Sequence, residues 1–388
     1  MRILVASAWA PRLDNGDGLI LHHHLTELAG RHEIRAFVAQ PAREDDSSFD
    51  SVELSSSPEA RSAGLDYLAR RTRGLLSGEP AHVHWVARPR YRAALAEAIT
   101  AFQPDVVHLF GWGTAQLAPM AGSIPTTYFA IDPWSQAWGN RIAEGPLAGL
   151  RQITDLGERA AVRRHERRHY PHVNAVCFVS HAETMALRSQ LPDCRFETIP
   201  LGVEIPEQHA RATAPLIALH GAFNVQANRV AAIDLVREVL PRVHAAVPSA
   251  KVHLIGRDPV PEIRALSSEH VLVIGSVPSM PEALSTCAIE VAPMTVGTGM
   301  KNKILEAMAV GLPVVTTSLG LSGIGEGDGA LVGDGYDDLA RHAVALLTNA
   351  ALRAEVGAAG RARVGRDFSW QSSARSLEAL WEQVLAVR

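Results

Sequence analysis

Lysine is almost missing from this 388-residue chain: Lys251, Lys301 and Lys303 are the whole set, and arginine supplies the rest of the fixed positive charge. An arginine bias is a statement about codons, but two of three lysines within three residues mark a place. Cysteine is scarce as well. Cys177, Cys194 and Cys287 are too few and too scattered for a disulfide framework or a zinc site, which points to a reducing, cytoplasmic setting. No run of 18 or more apolar residues occurs, so the sequence predicts no membrane-spanning helix. A basic excess is lacking too: the net charge is −4 and the pI about 6.5, which leaves no global positive field to hold a nucleic-acid backbone.

What is present is a packed globular composition, 47% hydrophobic and 20% charged, with a length that suits two or three domains. The opening apolar run breaks at Pro11 into an acidic stretch ending at Asp17, and reads as a first strand rather than a leader. Strand-like runs at 3–8, 34–39, 106–109, 126–130 and 173–179 alternate with helical periodicity at 19–29, 91–102 and 147–169. The second half repeats this with strands at 216–219, 252–255, 271–274, 289–291 and 314–316, and helices at 230–247, 281–286 and 303–310. Val- and Ile-rich strands alternating with amphipathic helices predict parallel sheets covered on both faces. The polar stretch 202–215 reads as a linker, and 41–58, with its acids and serines, as a surface loop. The fold class expected is α/β, with two doubly wound Rossmann-like domains facing across a cleft. Ligands in such sheets bind at the carboxyl ends of the strands.

The segment 295–317 carries the strongest chemical signal. A turn with Gly297 and Gly299 leaves a strand and feeds a helix, and Gly311-Leu-Pro313 leads into the next strand. A glycine turn at a helix start offers backbone N–H groups and the positive end of the helix dipole to an anion. Lys301 and Lys303 add cations there, and Glu306 lies one helical turn deeper, where it can accept hydrogen bonds from hydroxyls. A phosphate with a hydroxylated group beyond it fits that pattern.

The segment Gly299-Met-Lys-Asn-Lys-Ile-Leu-Glu306, running on to Val315, resembles the donor motif of glycosyltransferase family 4, in its exopolysaccharide (PslH-like) branch. Similarity continues along the chain, in Pro11-Arg-Leu-Asp-Asn-Gly-Asp-Gly18, Asp132-Pro-Trp-Ser-Gln-Ala-Trp138, Val179-Ser-His-Ala-Glu183, Gly202-Val-Glu204, Glu238-Val-Leu-Pro241, Ile255-Gly-Arg-Asp-Pro259, Gly275-Ser-Val-Pro278 and Phe368-Ser-Trp370. The resemblance implies the GT-B fold. It gives an acceptor-binding domain over 1–205, a nucleotide-sugar domain over 206–367 and a final helix over 368–388 that crosses back to the first domain. It also implies a retaining, metal-independent transferase of the hexosyltransferase class, with no cofactor and a nucleotide-diphosphate sugar as co-substrate.

Carried onto this chain, the resemblance puts the ribose on Glu306 and the diphosphate on the amides near Met300 and Lys301, with Lys303 and Arg257 supplying charge. Gly275–Pro278, including Val277, borders the base, whose identity among UDP, GDP and dTDP stays open. Gly221 and Asn224 lie in the first loop of the second domain. Gly16 and Gly18 allow close approach to phosphate. This chain departs from the family pattern in three places. Thr298 stands where a sugar-contacting glutamate is usual, the segment 221–228 lacks the usual basic pair, and Asp132 replaces a histidine. Lys301 and Lys303 are expected to replace the missing charge, and Asp132 to orient acceptor or sugar; Asp132, Lys303 and Glu306 are the candidate catalytic residues. Trp9, Trp112, Trp134 and His108 are candidate acceptor contacts near strand ends, and tryptophans there suit a flat aromatic or cationic small molecule.

Other patterns carry less. His165-Glu-Arg-Arg-His169 matches a zinc-protease helix, but Arg163, Arg164, Arg167 and Arg168 surround it, so no metal site is expected. His22, His23 and His24 face different directions on a helix. Gly16 and Gly18 lack the third glycine of a dinucleotide fingerprint. The expected partners are therefore a nucleotide-sugar donor and a small-molecule acceptor of natural-product biosynthesis, with no nucleic acid and no integral membrane segment; association as a homodimer stays open. The alternatives are a peripheral membrane transferase acting on a lipid-linked or exopolysaccharide acceptor, with arginines such as Arg70, Arg88 and Arg163 as its basic face, and a catalytically weak nucleotide-sugar-binding protein.

Overall fold

The computed structural model describes residues 1–12, 16–39, 52–56, 79–80, 83, 86, 88–136, 139, 150–207, 214–297 and 299–387. Two compact units emerge: Met1–Leu201 together with Ser373–Arg388, and Gly202–Ser372. Each is a parallel α/β sheet. In the first, β1 (Arg2–Ser7), β2 (Glu33–Val38), β3 (Val52–Ser56), β4 (Val106–Phe110), β5 (Thr126–Ile131), β6 (Ala175–Phe178) and β7 (Phe196–Thr198) are ordered β3-β2-β1-β4-β5-β6-β7. In the second, β8 (Leu216–His220), β9 (Lys251–Ile255), β10 (Val271–Gly275), β11 (Ile289–Ala292), β12 (Val314–Thr316) and β13 (Ala330–Val332) are ordered β10-β9-β8-β11-β12-β13. The strand order reverses between β1 and β4 and between β8 and β11. These are the switch points where ligands of doubly wound sheets bind.

Burial explains the strands. Ile3, Leu4, Val5 and Ala6 of β1 are all but fully buried, so both faces of the sheet need cover. The helix Gly16–Leu28 supplies Ile20, Leu21 and Leu25, and the helix Pro89–Phe102 supplies Tyr91, Leu95, Ile99 and Phe102. The second helix starts with Pro89, whose missing N–H costs nothing in a first turn, and stops where Gln103 turns left-handed. The C-terminal helix Trp370–Ala386 contributes Ser373 and beyond to the first unit. There Ser373 Oγ meets His24 Nε2 at 2.9 Å, Glu378 meets His32 at 2.7 Å, and Trp381 is 1% exposed.

Some expectations change. The stretch 41–58 is not wholly loop, because Val52–Ser56 pairs in parallel with β2. The helix expected at 230–247 begins at Gln226 and passes through a wider turn, Leu235–Val239, in which the Leu240 N–H reaches Leu235 O. Pro241, which has no N–H for the α ladder, follows at once. At the start of the expected linker, the Val203 N–H bonds to Phe368 O at 2.8 Å within the second unit. No described helix is long and apolar enough to cross a membrane.

Candidate functional site

The second unit gathers its charges at the β8–β11 switch point. His220 is the last residue of β8, and Glu290 sits on β11, one residue along from the pairing of Ile289 with Ile217. The Glu290 side chain is 0% exposed and accepts from His220 Nδ1 at 2.9 Å. The opposite ring nitrogen, Nε2, donates to Glu306 Oε2 at 3.0 Å. A ring that donates at both nitrogens carries both protons. Burial works against the cation, but the charge and hydrogen bond of Glu290, joined by those of Glu306, outweigh it and raise His220 to about 9.

Glu306 lies on the helix Asn302–Ala309 and keeps 47% of its side chain exposed, so it spans the buried ring and the open side. Burial alone would raise its pKa; the bond and charge of His220, with Lys303 nearby, turn the balance and lower it. Lys303 Nζ makes a very short hydrogen bond to Asn228 Oδ1. Burial pulls Lys303 down to about 8, against the opposing pull of Glu290 and Glu306. Lys303 thus reaches the segment 221–228, which lacks the family's basic pair.

The glycine turn has a steric logic. Gly297 and Gly299 have φ of 105° and 71°, and a Cβ on Gly297 would come within 2.9 Å of Ala227 Cβ. Gly221, at φ 141°, leaves room for its neighbours: a Cβ there would meet Asn228 Nδ2 at 2.8 Å and Lys303 Nζ at 3.0 Å. Lys301, expected to add positive charge here, is drawn in against the turn. It is 7% exposed and its Nζ donates back to Gly299 O at 2.8 Å, bracing the turn. Thr298 lies outside the described residues.

The other expected donor residues are more dispersed. Asn224 is exposed and donates to Asp258 at 3.3 Å; Arg257 is exposed and offers its backbone oxygen to the Phe223 N–H at 3.0 Å. Among the described residues neither hydrogen-bonds to Lys303 or Glu306. Met300 and Val277 pack, partly buried, against the hydrophobic core, so Val277 owes its place to packing. A cavity of about 460 Å³ opens beside this stretch, lined by Asp258, Arg264, Ser267, Val273, Gly275 and Ser276.

In the first unit, Asp132 follows β5 and Asp17 lies in the first turn of the helix Gly16–Leu28, between Gly16 and Gly18. Burial raises both carboxyls. Asp17 reaches about 6, with the charge of Asp132 adding to the effect. Each carboxyl therefore keeps its proton to a higher pH than an aspartate in water. Asp17 was not among the residues singled out from sequence. Trp112 and Trp134 meet edge to face at 4.2 Å, but Trp134 is 4% exposed among Val83 and Val162, so it is core more than wall. Trp9 lies against Gly111, where a Cβ would meet its Cδ1 at 3.0 Å.

His108 requires correction. It is inside β4, not at its end, and is 1% exposed. Its Nδ1 meets Thr127 Oγ1 at 2.8 Å and its ring lies edge-on to Trp381 at 5.4 Å. Burial lowers it to about 3, so it is a neutral core histidine beyond the reach of an acceptor.

The zinc-like helix motif also looks different in three dimensions. Its middle acid, Glu166, is buried and accepts from the Ser135 N–H at 3.0 Å. Glu79, far away in sequence, brings a carboxylate to His165 at 2.8 Å and to Arg168 at 3.2 Å, and ligand-type atoms of Glu79, His165 and His169 lie within 4.8 Å of one another. Arg168 shares the carboxylate oxygen that faces His169 at 4.0 Å, so a guanidinium already neutralises the group.

Comparison with known proteins places this arrangement. Residues 18–202 match the family model described as a glycosyl transferase 4-like domain, and residues 214–349 match that of glycosyl transferases group 1. No curated protein matches the sequence. Among solved structures, sucrose-phosphate synthase from Thermosynechococcus elongatus is similar over 100% of both chains at 16% identity, with a TM-score of 0.64. The Anabaena protein HepE, solved in complex with UDP, is similar over 99% of this chain and 100% of its own at 14% identity, with a TM-score of 0.65. A glycosyltransferase from Rickettsia africae is similar over 99% of this chain and 98% of its own at 12% identity, with a TM-score of 0.63. The fold is GT-B. The chain belongs to the group 1 glycosyltransferases with a family 4-like N-terminal domain.

Proposed function

We propose that this chain transfers a sugar from a nucleoside-diphosphate donor to a small-molecule acceptor, with retention of configuration and without a metal ion. The observation that carries the reading is the juxtaposition of Glu306, braced by His220, with Lys303 at the mouth of the glycine turn. A carboxylate that is half exposed and kept ionised suits a ribose diol, and a cation one turn away suits the diphosphate. The UDP bound to HepE and the family membership support the donor class. In the reaction proposed, the bond from the anomeric carbon to phosphate breaks. The acceptor oxygen bonds to that carbon on the same face, and the acceptor's proton passes to the departing phosphate. Charge at the turn stabilises the leaving group, so no strong protein base is needed.

Asp132, coupled to Asp17, is the proposed orienting group on the acceptor side, and the exposed part of Trp112 fits a flat aromatic or cationic acceptor. Thermal shift against a panel of nucleotide sugars should single out a donor, because a ligand bound only to the folded state raises the melting temperature. With that donor, Lys303→Ala and Glu306→Ala should each lose most turnover at unchanged fold. Near-normal rates in both would refute the assignment.

A further inference from the structure

His220 and Glu290 belong to no part of the site that the sequence motif marks, yet they lie beneath it. Their burial is costly. Glu290 is 0% exposed, with its Oε1 left without a partner among the described residues, and His220 is 2% exposed. A buried pair of this kind is weak evidence for stability, because apolar side chains of similar size would serve as well or better. It holds a geometry instead. Glu290 fixes the ring through Nδ1, which aims Nε2–H at Glu306 Oε2 and leaves the second oxygen of that half-exposed carboxylate uncommitted among the described residues.

We propose that His220 and Glu290 are positioning residues that orient the Glu306 carboxylate for a vicinal diol, and so set this protein's preference for ribose over deoxyribose. This rests on the donor reading above. Glu290 faces the ring from β11, Glu306 from the helix Asn302–Ala309, and Ile255 of β9 is the backbone partner of His220 on the other side. Lys303 is the next cation, drawn by both acids. A carboxylate free to rotate would accept from a single hydroxyl about as readily as from two. One held from behind presents a fixed oxygen, and the hydroxyl missing from a deoxyribose leaves it unfilled.

The experiment is calorimetric titration with whichever of UDP, GDP or ADP binds the wild type most tightly, and with its 2′-deoxy counterpart. The wild type should prefer the ribonucleotide by about tenfold. Glu306→Ala should bring the ratio close to one. His220→Leu combined with Glu290→Gln, which avoids stranding a buried charge, should reduce the ratio to about twofold, with native circular dichroism and unchanged pyrophosphate affinity. His220→Gln, whose amide can still donate to Glu306, should restore most of the preference. A loss with Glu306→Ala but none in the His220→Leu/Glu290→Gln protein would overturn the positioning role and leave the donor site standing. No loss with Glu306→Ala, or no binding of any of the three nucleotides, would overturn both.

Discussion

At the scale of single residues, the site is a chain of alternating charges: Glu290, His220, Glu306 and Lys303. Its protonation has a sign that can be checked. His220 titrates near 9 in the folded protein against an ordinary 6.5, so its contribution is full below 6.5 and is lost as pH rises through about 9. Lys303, lowered to about 8, acts in the opposite sense above that pH, so the His220 effect stands clear between 6.5 and 8. Within that window unfolding free energy should fall by up to about 1.4 kcal/mol per pH unit in the wild type. Urea denaturation of His220→Gln across the same window should show a flatter dependence; an equal slope would mean that the ring is not charged. Lys303 leads to a second expectation. Affinity for a nucleoside diphosphate should weaken as pH rises through about 8 and the cation is lost, with binding to Lys303→Met about tenfold weaker at pH 7 and free of that inflection.

Elements place these residues through glycine as much as through apolar pattern. The helix Ala350–Asp367 illustrates it with two glycines of opposite meaning. Gly357 is buried, and a Cβ there would come within 2.3 Å of Gly311 O, in the left-handed residue that follows the cap of the Asn302–Ala309 helix. A Cβ on Gly365 would meet no described atom within 4 Å outside its own stretch of helix. Gly357→Ala should therefore destabilise by about 1–3 kcal/mol through overpacking. Gly365→Ala, which only removes backbone freedom in a helix, should stabilise by about 0.5–1 kcal/mol. Chemical denaturation of the two variants decides; the same sign in both would contradict the packing described. This is also the scale at which the sequence was most readable. Strands such as Arg2–Ser7 and Thr126–Ile131 and the helix Pro89–Phe102 announce themselves because long apolar runs and periodicity are local. The three-residue strands Phe196–Thr198 and Ala330–Val332 do not, since sheet pairing and not composition makes them strands.

Across the whole molecule, both switch points carry polar groups, but only one was legible as a site. The lysines, glycines and Glu306 sit within ten residues of sequence, so the motif could be read directly. His220, Glu290 and Asn228 lie 70 to 86 residues in sequence from the partners they bond, and only folding joins them. A single acid in an otherwise apolar strand, Glu290 in Ile-Glu-Val-Ala, was the available clue. Asp17 and Glu79 were hidden for the same reason, and His108 was misplaced because its strand runs on to Phe110, one residue further than the apolar run alone suggested. The measurement that bears most directly on the account is a crystal structure of the protein soaked with the nucleoside diphosphate it binds most tightly. The account predicts the two phosphates against the backbone amides of Gly299–Lys301 beside Lys303, and a ribose hydroxyl hydrogen-bonded to the free oxygen of Glu306. Nucleotide density elsewhere in the protein, with the Gly297–Glu306 segment bare, would contradict it.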